Sequence, residues 1–389
     1  MNSADFRAPQ AGQVVRALQG QLAFVPARLP PRLIFDRPLV LALSRADAAL
    51  SELAGVGRQM PNPHLFIAPY LRREAVLSSR IEGTRTNLDT LLLEEAAPHA
   101  APDSDVQEVQ NYVVALEEGI ELLSTLPLSL RLVRELHSRL MRGVGGGHAR
   151  PGEFRSEQNW IGGRTIDTAT YVPPPPERLA ETLDHWEAYL HNRELPDLIQ
   201  IALIHEQFEA IHPFRDGNGR VGRLLIPLFL IERRRLPQPL LYLSGYLETN
   251  RRRYYDLLQS VTTDGAWIEW IMFFLEGVEQ SARAAMQQAS DLLDLREQLR
   301  HAVRSKPQAL ALLDELFRNP YTTAARASRV LKASTPTAAN AIRVLEQAGV
   351  LSEVTGRAWG RVYVASPILR IIDPPPGTSG AGPAPTSRQ

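Results

Sequence analysis

The chain has 389 residues, enough for more than one core, and its 43 basic residues balance 43 acidic ones. That balance leaves no global charge to argue for nucleic-acid or membrane binding. There is no cysteine, hence no disulfide and no thiolate metal site, and no apolar run reaches the roughly 18–20 residues of a membrane span.

The first residues lack the apolar core of a signal peptide, and a cysteine-free chain is compatible with a reducing compartment, so the expectation is cytoplasmic. Residues 1–30, rich in Gln, Ala and Pro, read as an arm, and 31–100 as an N-terminal helical region. Apolar spacing predicts helices over 38–54 and 65–81, broken at Pro61, Asn62 and Pro63. A loop at 96–104 follows, in which Asp103 or Ser104 would cap a helix over 106–123. Another helix, 127–140, ends in the glycine-rich loop 143–147, and 101–290 reads as the main core. Helical periodicity is lost over 152–176, which reads as extended or hairpin structure stiffened at its exit by Pro173 to Pro176. Helical patterns return over 179–191, 198–211 and, past a loop, to Arg233; 254–258 and 267–275 complete the core. Residues 291–304 read as a charged linker helix, 305–372 as a separate small domain, and 373–389 as a disordered tail.

The loop that interrupts this pattern reads His212-Pro213-Phe214-Arg215-Asp216-Gly217-Asn218-Gly219-Arg220-Val221-Gly222-Arg223. Apolar helical sequence flanks it, so it opens the N-terminus of a helix, where free N–H groups and the dipole favour an anion. Gly217 and Gly219 can take backbone angles that turn successive N–H groups into a nest. Arg220 and Arg223 share a face of that helix and lean back toward its start. Guanidiniums and amides converging on one point suggest a polyphosphate. Neither of the commoner phosphate loops fits, because the only lysines, Lys306 and Lys332, lie far away and no strand precedes the run. His212 suits proton abstraction near neutral pH. Asp216 offers a hard oxygen to a Mg²⁺ that bridges phosphates, and Asn218 a donor to a phosphate oxygen. Phe214 reads as an anchor for the loop. With Arg220 and Arg223 on the β- and γ-phosphates, the α-phosphorus would face His212 and pyrophosphate would leave, which is nucleotidyl transfer.

The run matches the signature of Fic proteins, His-x-Phe-x-Asp/Glu-Gly-Asn-Gly-Arg-x-x-Arg, at every defined position, and the chain resembles that family. The resemblance implies a mainly α fold: a Fic-type helical core with a small β-hairpin flap. It also implies transfer of AMP from ATP, with Mg²⁺, to a Ser, Thr or Tyr hydroxyl of a target protein. The nucleotide-binding set it implies is Glu82, His212, Gly217, Asn218, Gly219, Arg220, Val221, Gly222, Arg223, Asn250 and Tyr255, with Asp216 on the metal. Residues 205–211 look like the family's leading helix, in which His205 reads as structural. Residues 152–155 and 160–163 resemble the approach to its flap. Thr168, Ala169, Thr170, Tyr171 and Val172 would be that flap, registering the target by strand addition, unless they form an ordinary surface hairpin. Residues 241–244 and 250–255 look like the base pocket, with Asn250 and Tyr255 as contacts, although Tyr254 and Tyr255 could equally be core aromatics.

A second family motif, Ser/Thr-x-x-x-Glu-Gly/Asn, is matched by Ser78, Glu82 and Gly83. Ser78 and Glu82 lie one helical turn apart, Gly83 is a plausible terminator, and a carboxylate there gains from a cationic partner. The resemblance implies that this partner is Arg223, so that ATP binds unproductively. The same glutamate in related proteins implies a reverse, AMP-removing activity as an alternative. In the C-terminal domain, helices over 307–317, 322–331 and 334–347 and a hairpin around Gly356 look like a winged helix-turn-helix. Ser334, Thr335, Thr337, Asn340 and Arg343 would face a DNA groove, with Arg357 at the wing tip; a protein-contact module or a homodimer interface stays open. A nucleotide-sensing DNA-binding regulator is the competing function. A hydrolase with His205 and His212 as metal ligands is disfavoured, because helical ligand spacing and a third ligand are lacking.

Overall fold

The computed structural model describes residues 1–59, 64–98, 103–145 and 149–374. The expected break at Pro61 to Pro63, residues 99–102 of the loop before the next helix, Gly146 and Gly147, and the tail from 375 lie outside them. The elements begin with β1 (Gly12–Arg16), β2 (Leu22–Pro26), α1 (Arg37–Gln59), α2 (His64–Ile81), α3 (Leu88–Ala96), α4 (Ser104–Leu122) and α5 (Leu130–Leu140). They continue with α6 (Pro176–Leu190), α7 (Asp197–Ile211), α8 (Asn218–Glu232), α9 (Ser244–Thr249), α10 (Arg251–Asp264) and α11 (Trp267–Ala302). The chain closes with α12 (Pro307–Leu316), β3 (Tyr321–Thr323), α13 (Ala324–Leu331), α14 (Thr335–Gln347), β4 (Ser352–Glu353), β5 (Val362–Val364) and α15 (Ser366–Ile372). Two units divide them: residues 1–59, 74–85 and 104–285 form the first, and 60–73, 86–103 and 286–389 the second.

In the first unit, α7 is buried from Leu198 to Ile211 except at Glu209, as an all-round apolar helix demands. Two buried indoles brace it: Trp186 Nε1 donates to Ile204 O (3.0 Å) and Trp270 Nε1 to Ala202 O (2.8 Å). Removal of each ring from water contributes on the order of 1.5–3 kcal/mol. Helix α8 lies close against α7, and a Cβ at Gly222 would come within 2.4 Å of Glu209 Oε1. The two helices therefore present the intervening 212–217 loop at one rigid end.

Three expectations change. The supposed arm at 1–30 contains an antiparallel hairpin, with Val14 opposite Phe24, and buried Phe24 packs with Ala8, Ala11 and Tyr171. Apolar residues in β1 and β2 on either side of Gly20 (φ 94°) outweigh the polar composition that suggested a loose start. Helix α3 was not foreseen, although Asn87 caps it by accepting the Thr90 N–H. The core helix and the linker helix of the sequence reading are one 36-residue helix, α11.

The second unit has α12, α13 and α14 beside a three-stranded antiparallel sheet in the order β3-β5-β4. Tyr321 pairs with Val364 and so does Ser352, which puts β5 in the middle. Thr323 and Ser334 cap α13 and α14 by accepting the Arg326 and Thr337 N–H groups. Asn319 Nδ2 donates to Leu92 O (3.0 Å) and Arg326 Nη1 to Glu95 O (3.1 Å), tying α3 to this unit. Strand β3 and α15 are additions to the expected three helices and hairpin.

Candidate active site

Two residues with positive φ shape the loop: His212 (φ 48°) ends α7 and Gly217 (φ 77°) begins α8. Gly219 is not one of them; it lies inside α8 with ordinary helical angles, so the expected two-glycine nest is a one-glycine turn. The first intrahelical bond of α8 is Val221 N to Gly217 O (3.0 Å), which leaves the amides of Asn218, Gly219 and Arg220 ahead of it for an anion.

Asn218 departs from its expected role. It is 2 % exposed, and its side chain accepts from Phe214 N (2.8 Å) and donates to Phe214 O (2.9 Å), so its amide locks the loop. Phe214 is the anchor that the sequence suggested, fully buried and stacked on His137 at 3.7 Å between ring centres. His137 accepts the Gly152 N–H at Nδ1 (2.9 Å), so its Nε2 donates to Asp216 O (3.1 Å). Burial pushes this imidazole down to about 4, and it acts as a neutral strut. Buried Arg155 donates from Nε to His212 O (2.9 Å) and from Nη2 to Pro174 O (2.5 Å), while its own N–H meets Pro213 O (2.9 Å). Sequence reasoning missed both supports, because nothing in local spacing marks a residue that serves a loop 57 or 79 positions away.

His212 Nδ1 lies 3.3 Å from Glu209 O, a contact that needs the proton on Nδ1 and leaves the Nε2 lone pair free. Burial, with the Arg155 guanidinium second, pushes the imidazole down to about 4, so it is unprotonated at neutral pH. His205 is structural, as expected: its ring bridges Gly222 O (3.1 Å) and Tyr254 OH (2.9 Å).

His212 opens into a cavity of about 580 Å³, within the size range of small-ligand sites. Glu82, Gly219 and Arg223 line it and lie close together. The Arg223 side chain is 1 % exposed; Nη2 reaches Glu82 Oε1 at 2.7 Å and Ser78 O at 2.9 Å, and Nε reaches Ser78 Oγ at 2.8 Å. Burial opposes the charge on Glu82, yet the Arg223 guanidinium holds the carboxyl below the ordinary carboxylate range. Helix α2 ends at Ile81, one residue before Glu82, and Gly83 (φ 108°) makes the turn. Gly219 is required for room, since a Cβ there would sit 2.2 Å from Glu82 Oε1. Arg220, 3 % exposed, is also paired: Nη1 lies 3.0 Å from Glu108 Oε2, an oxygen that accepts from Thr84 Oγ1 (3.2 Å). Nothing in local spacing points to Glu108. Val221 is fully buried in the core and Gly222 faces α7, so neither lines the cavity as expected.

Asp216 is 57 % exposed; its Oδ1 accepts from Gly217 N (2.6 Å) and lies 3.6 Å from Arg220. Among the described residues no group of three or more His, Asp or Glu side chains could hold a metal. One exposed carboxylate does suit Mg²⁺, which commonly takes one or two carboxylates and completes its shell with phosphate oxygens and water.

The cavity is also lined by Trp160, Ile161, Tyr255, Leu258 and Thr262. Tyr255 lines it, whereas Asn250, at the junction of α9 and α10 and bonded to Tyr246 O (2.9 Å), is not among its lining residues. Residues 241–244 do not line it either: Leu241 and Leu243 are buried, and Ser244 is held by Glu74 (2.5 Å). Tyr254 is buried and also lines the cavity. The flap is less regular than expected. Thr168 closes a 3-10 turn (Ile166–Thr168), and Tyr171 makes a single antiparallel bridge to Ile161. Ala169 and Val172 are buried, and Val172 O already accepts from Phe24 N (2.8 Å) of β2. Only Thr168 and Thr170 of the five are exposed, so an open five-residue edge is not what the chain presents.

Residues 40–121 match the family model described as Fic/DOC family N-terminal, and 127–230 match that of the Fic/DOC family. Proteins named protein adenylyltransferase Fic from Drosophila virilis and Aedes aegypti are similar: 31 % identical over 177 residues and 30 % over 171. These matches cover 44 % and 42 % of this chain but 33 % and 30 % of those relatives, about a third of their length. A crystal structure of a Fic family protein from Desulfovibrio desulfuricans matches with a TM-score of 0.58 at 19 % identity, over 87 % of this chain and 98 % of that one. A Fic domain containing signaling protein from Bacteroides thetaiotaomicron gives 0.51 at 18 %, over 63 % and 96 %. The helical fold is thus the Fic fold, and the chain carries a Fic/DOC N-terminal region followed by a Fic/DOC domain.

Proposed function

We propose that the protein is an adenylyltransferase that moves AMP from ATP to a Ser, Thr or Tyr hydroxyl of a target protein, and of itself, under restraint by Glu82. The observation that carries this reading is an unprotonated His212 beside the free amides of α8, in one cavity with Arg223. The amides and Arg223 would hold the phosphates, and the incoming hydroxyl oxygen would attack the α-phosphorus. Its proton passes to His212 Nε2 as the new P–O bond forms, and the bond to pyrophosphate breaks with the electron pair leaving on pyrophosphate. Mg²⁺ held at Asp216 would neutralise charge on the departing phosphates.

Glu82 opposes this by occupying Arg223, so ATP would seat without a guanidinium on its γ-phosphate. With Glu82 in place, a water could instead attack the phosphorus of an AMP-modified side chain; the new P–O bond would release AMP as the bond to the side-chain oxygen breaks, and that oxygen would leave as the protein hydroxyl. A regulatory role through DNA has one favouring observation: Ser334, Thr335, Thr337, Asn340 and Arg343 of α14 and its cap are all exposed, as is Arg357 between β4 and β5. Helices α12 to α14 with that sheet would then be a winged helix. A cytoplasmic location rests on the cysteine-free composition alone. The test is mass spectrometry of Glu82→Gly protein incubated with ATP and Mg²⁺. An AMP adduct that is absent from Glu82→Gly/His212→Ala supports the reading, and an unmodified Glu82→Gly chain that binds ATP overturns it.

A further inference from the structure

The carboxylate that occupies Arg223 does not sit on a helix. Glu82 lies one residue beyond the end of α2, in a turn with three backbone bonds. These are Glu82 N to Ser79 O (3.0 Å), Gly83 N to Arg80 O (3.0 Å) and Thr84 N to Ser79 O (3.2 Å). Gly83 (φ 108°) is the pivot, and a Cβ there would meet nothing within 4 Å, so packing does not hold it. Turns at helix ends open at little cost, and each opening would draw Glu82 away from Arg223.

The hold comes from α4. Two residues past Glu82, the Thr84 hydroxyl donates to Glu108 Oε2 (3.2 Å), and the next amide, Arg85 N, donates to Asp105 Oδ2 (2.8 Å). Asp105 and Glu108 are three residues apart on α4, so one face of that helix moors the segment leaving the turn. Glu108 is itself fixed, because the same Oε2 accepts from Arg220 Nη1 (3.0 Å). Arg220 is buried, its Nε has no partner among the described residues, and Asp216 Oδ1 is farther from it at 3.6 Å. Arg220 and Arg223 share a face of α8, so the contacts close a ring. It runs from Arg223 to Glu82, along the turn to Thr84, across to Glu108, on to Arg220 and back through one turn of α8.

We infer that Thr84, anchored on Glu108, is a positioning residue for the restraint: its hydroxyl keeps the turn closed and so keeps Glu82 on Arg223. This rests on the reading of Glu82 as a restraint on adenylyl transfer. A carboxylate oxygen accepts two bonds, so Glu108 Oε2 serves the turn and α8 at once. The hydroxyl–carboxylate bond is charge-assisted yet only partly buried, strong enough to bias the turn and weak enough to let it open.

Incorporation of label from ATP marked at the α-phosphate, on the full-length protein, tests this. Thr84→Val removes the hydroxyl and keeps the shape, and should raise the initial rate about two- to fivefold. Thr84→Ser keeps the hydroxyl and should stay at the wild-type rate; a packing role would give the reverse order. Combined with Glu82→Gly, Thr84→Val should add nothing, since the group it positions is gone. Thermal unfolding reads the anchor: Thr84→Val should lower Tm by about 1–4 °C in wild type and leave Glu108→Ala unshifted. Three results overturn the inference and leave adenylyl transfer standing: Thr84→Val no faster than wild type or than Thr84→Ser, an equal gain in Glu82→Gly, or equal Tm losses in both backgrounds. If Glu82→Gly gains nothing over wild type, the restraint itself falls, and if no variant incorporates label, so does the proposed function.

Discussion

Glu82→Gly removes the carboxylate that pairs with Arg223, and the structure allows the gain in rate to be worked out. Arg223 is 1 % exposed and keeps two hydrogen bonds to Ser78 when Glu82 is gone, so it stays aimed at the start of α8. A charge-assisted bond between such groups is worth about 1.5–3 kcal/mol. The Glu82 side chain, however, retains 34 % of its exposure, and solvent screening lowers the figure to about 1–2 kcal/mol. Freeing Arg223 for the γ-phosphate should therefore raise the initial rate of AMP incorporation about 5- to 30-fold. The assay is incorporation of label from ATP marked at the α-phosphate, at saturating Mg²⁺, for wild type, Glu82→Gly and Glu82→Gln. Glutamine preserves shape and one weaker bond, and should lie between the other two. An unchanged rate in a folded Glu82→Gly protein that binds ATP would refute the argument that this ion pair restrains the site.

Other outcomes follow from neighbouring contacts. In the nucleotide-free protein, an NMR titration of His212 should find a neutral imidazole throughout the physiological range, with its midpoint near about 4; a midpoint at the ordinary histidine value would show the ring to be solvated. Because that folded pKa is depressed, the unfolded chain binds more protons, so the histidine's contribution to stability is present above about 6.5 and is lost as pH falls toward 4. Asn218→Ala should cost about 1–3 kcal/mol in denaturant unfolding, since both loop bonds to Phe214 vanish; no loss would restore the reading of Asn218 as a free phosphate donor. Gly219→Ala should destabilise wild type by about 1–3 kcal/mol and Glu82→Gly by clearly less, because its Cβ would meet Glu82 Oε1 at 2.2 Å; equal losses in both backgrounds would place the clash elsewhere.

What the sequence by itself determined was local. The run from His212 to Arg223 is consecutive in sequence, so the histidine before the loop, the helix start after it and the two arginines on that helix were legible from spacing. The helices that flank it announced themselves by apolar content, and the motif at Ser78, Glu82 and Gly83 pointed to Arg223 only through family resemblance. Tertiary structure decided whatever depends on partners distant in the chain. Glu108 reaches Arg220 across 112 positions, Arg155 holds His212 across 57, and the Asn218 amide turns inward because Phe214 is packed within its reach. The lining of the cavity was misread for the same reason: Asn250 and Glu206 are both polar residues in helical stretches, and only tertiary packing says which one faces the space. Side-chain direction at a given helical position is set by what the helix is packed against, and a single sequence carries that information only diffusely.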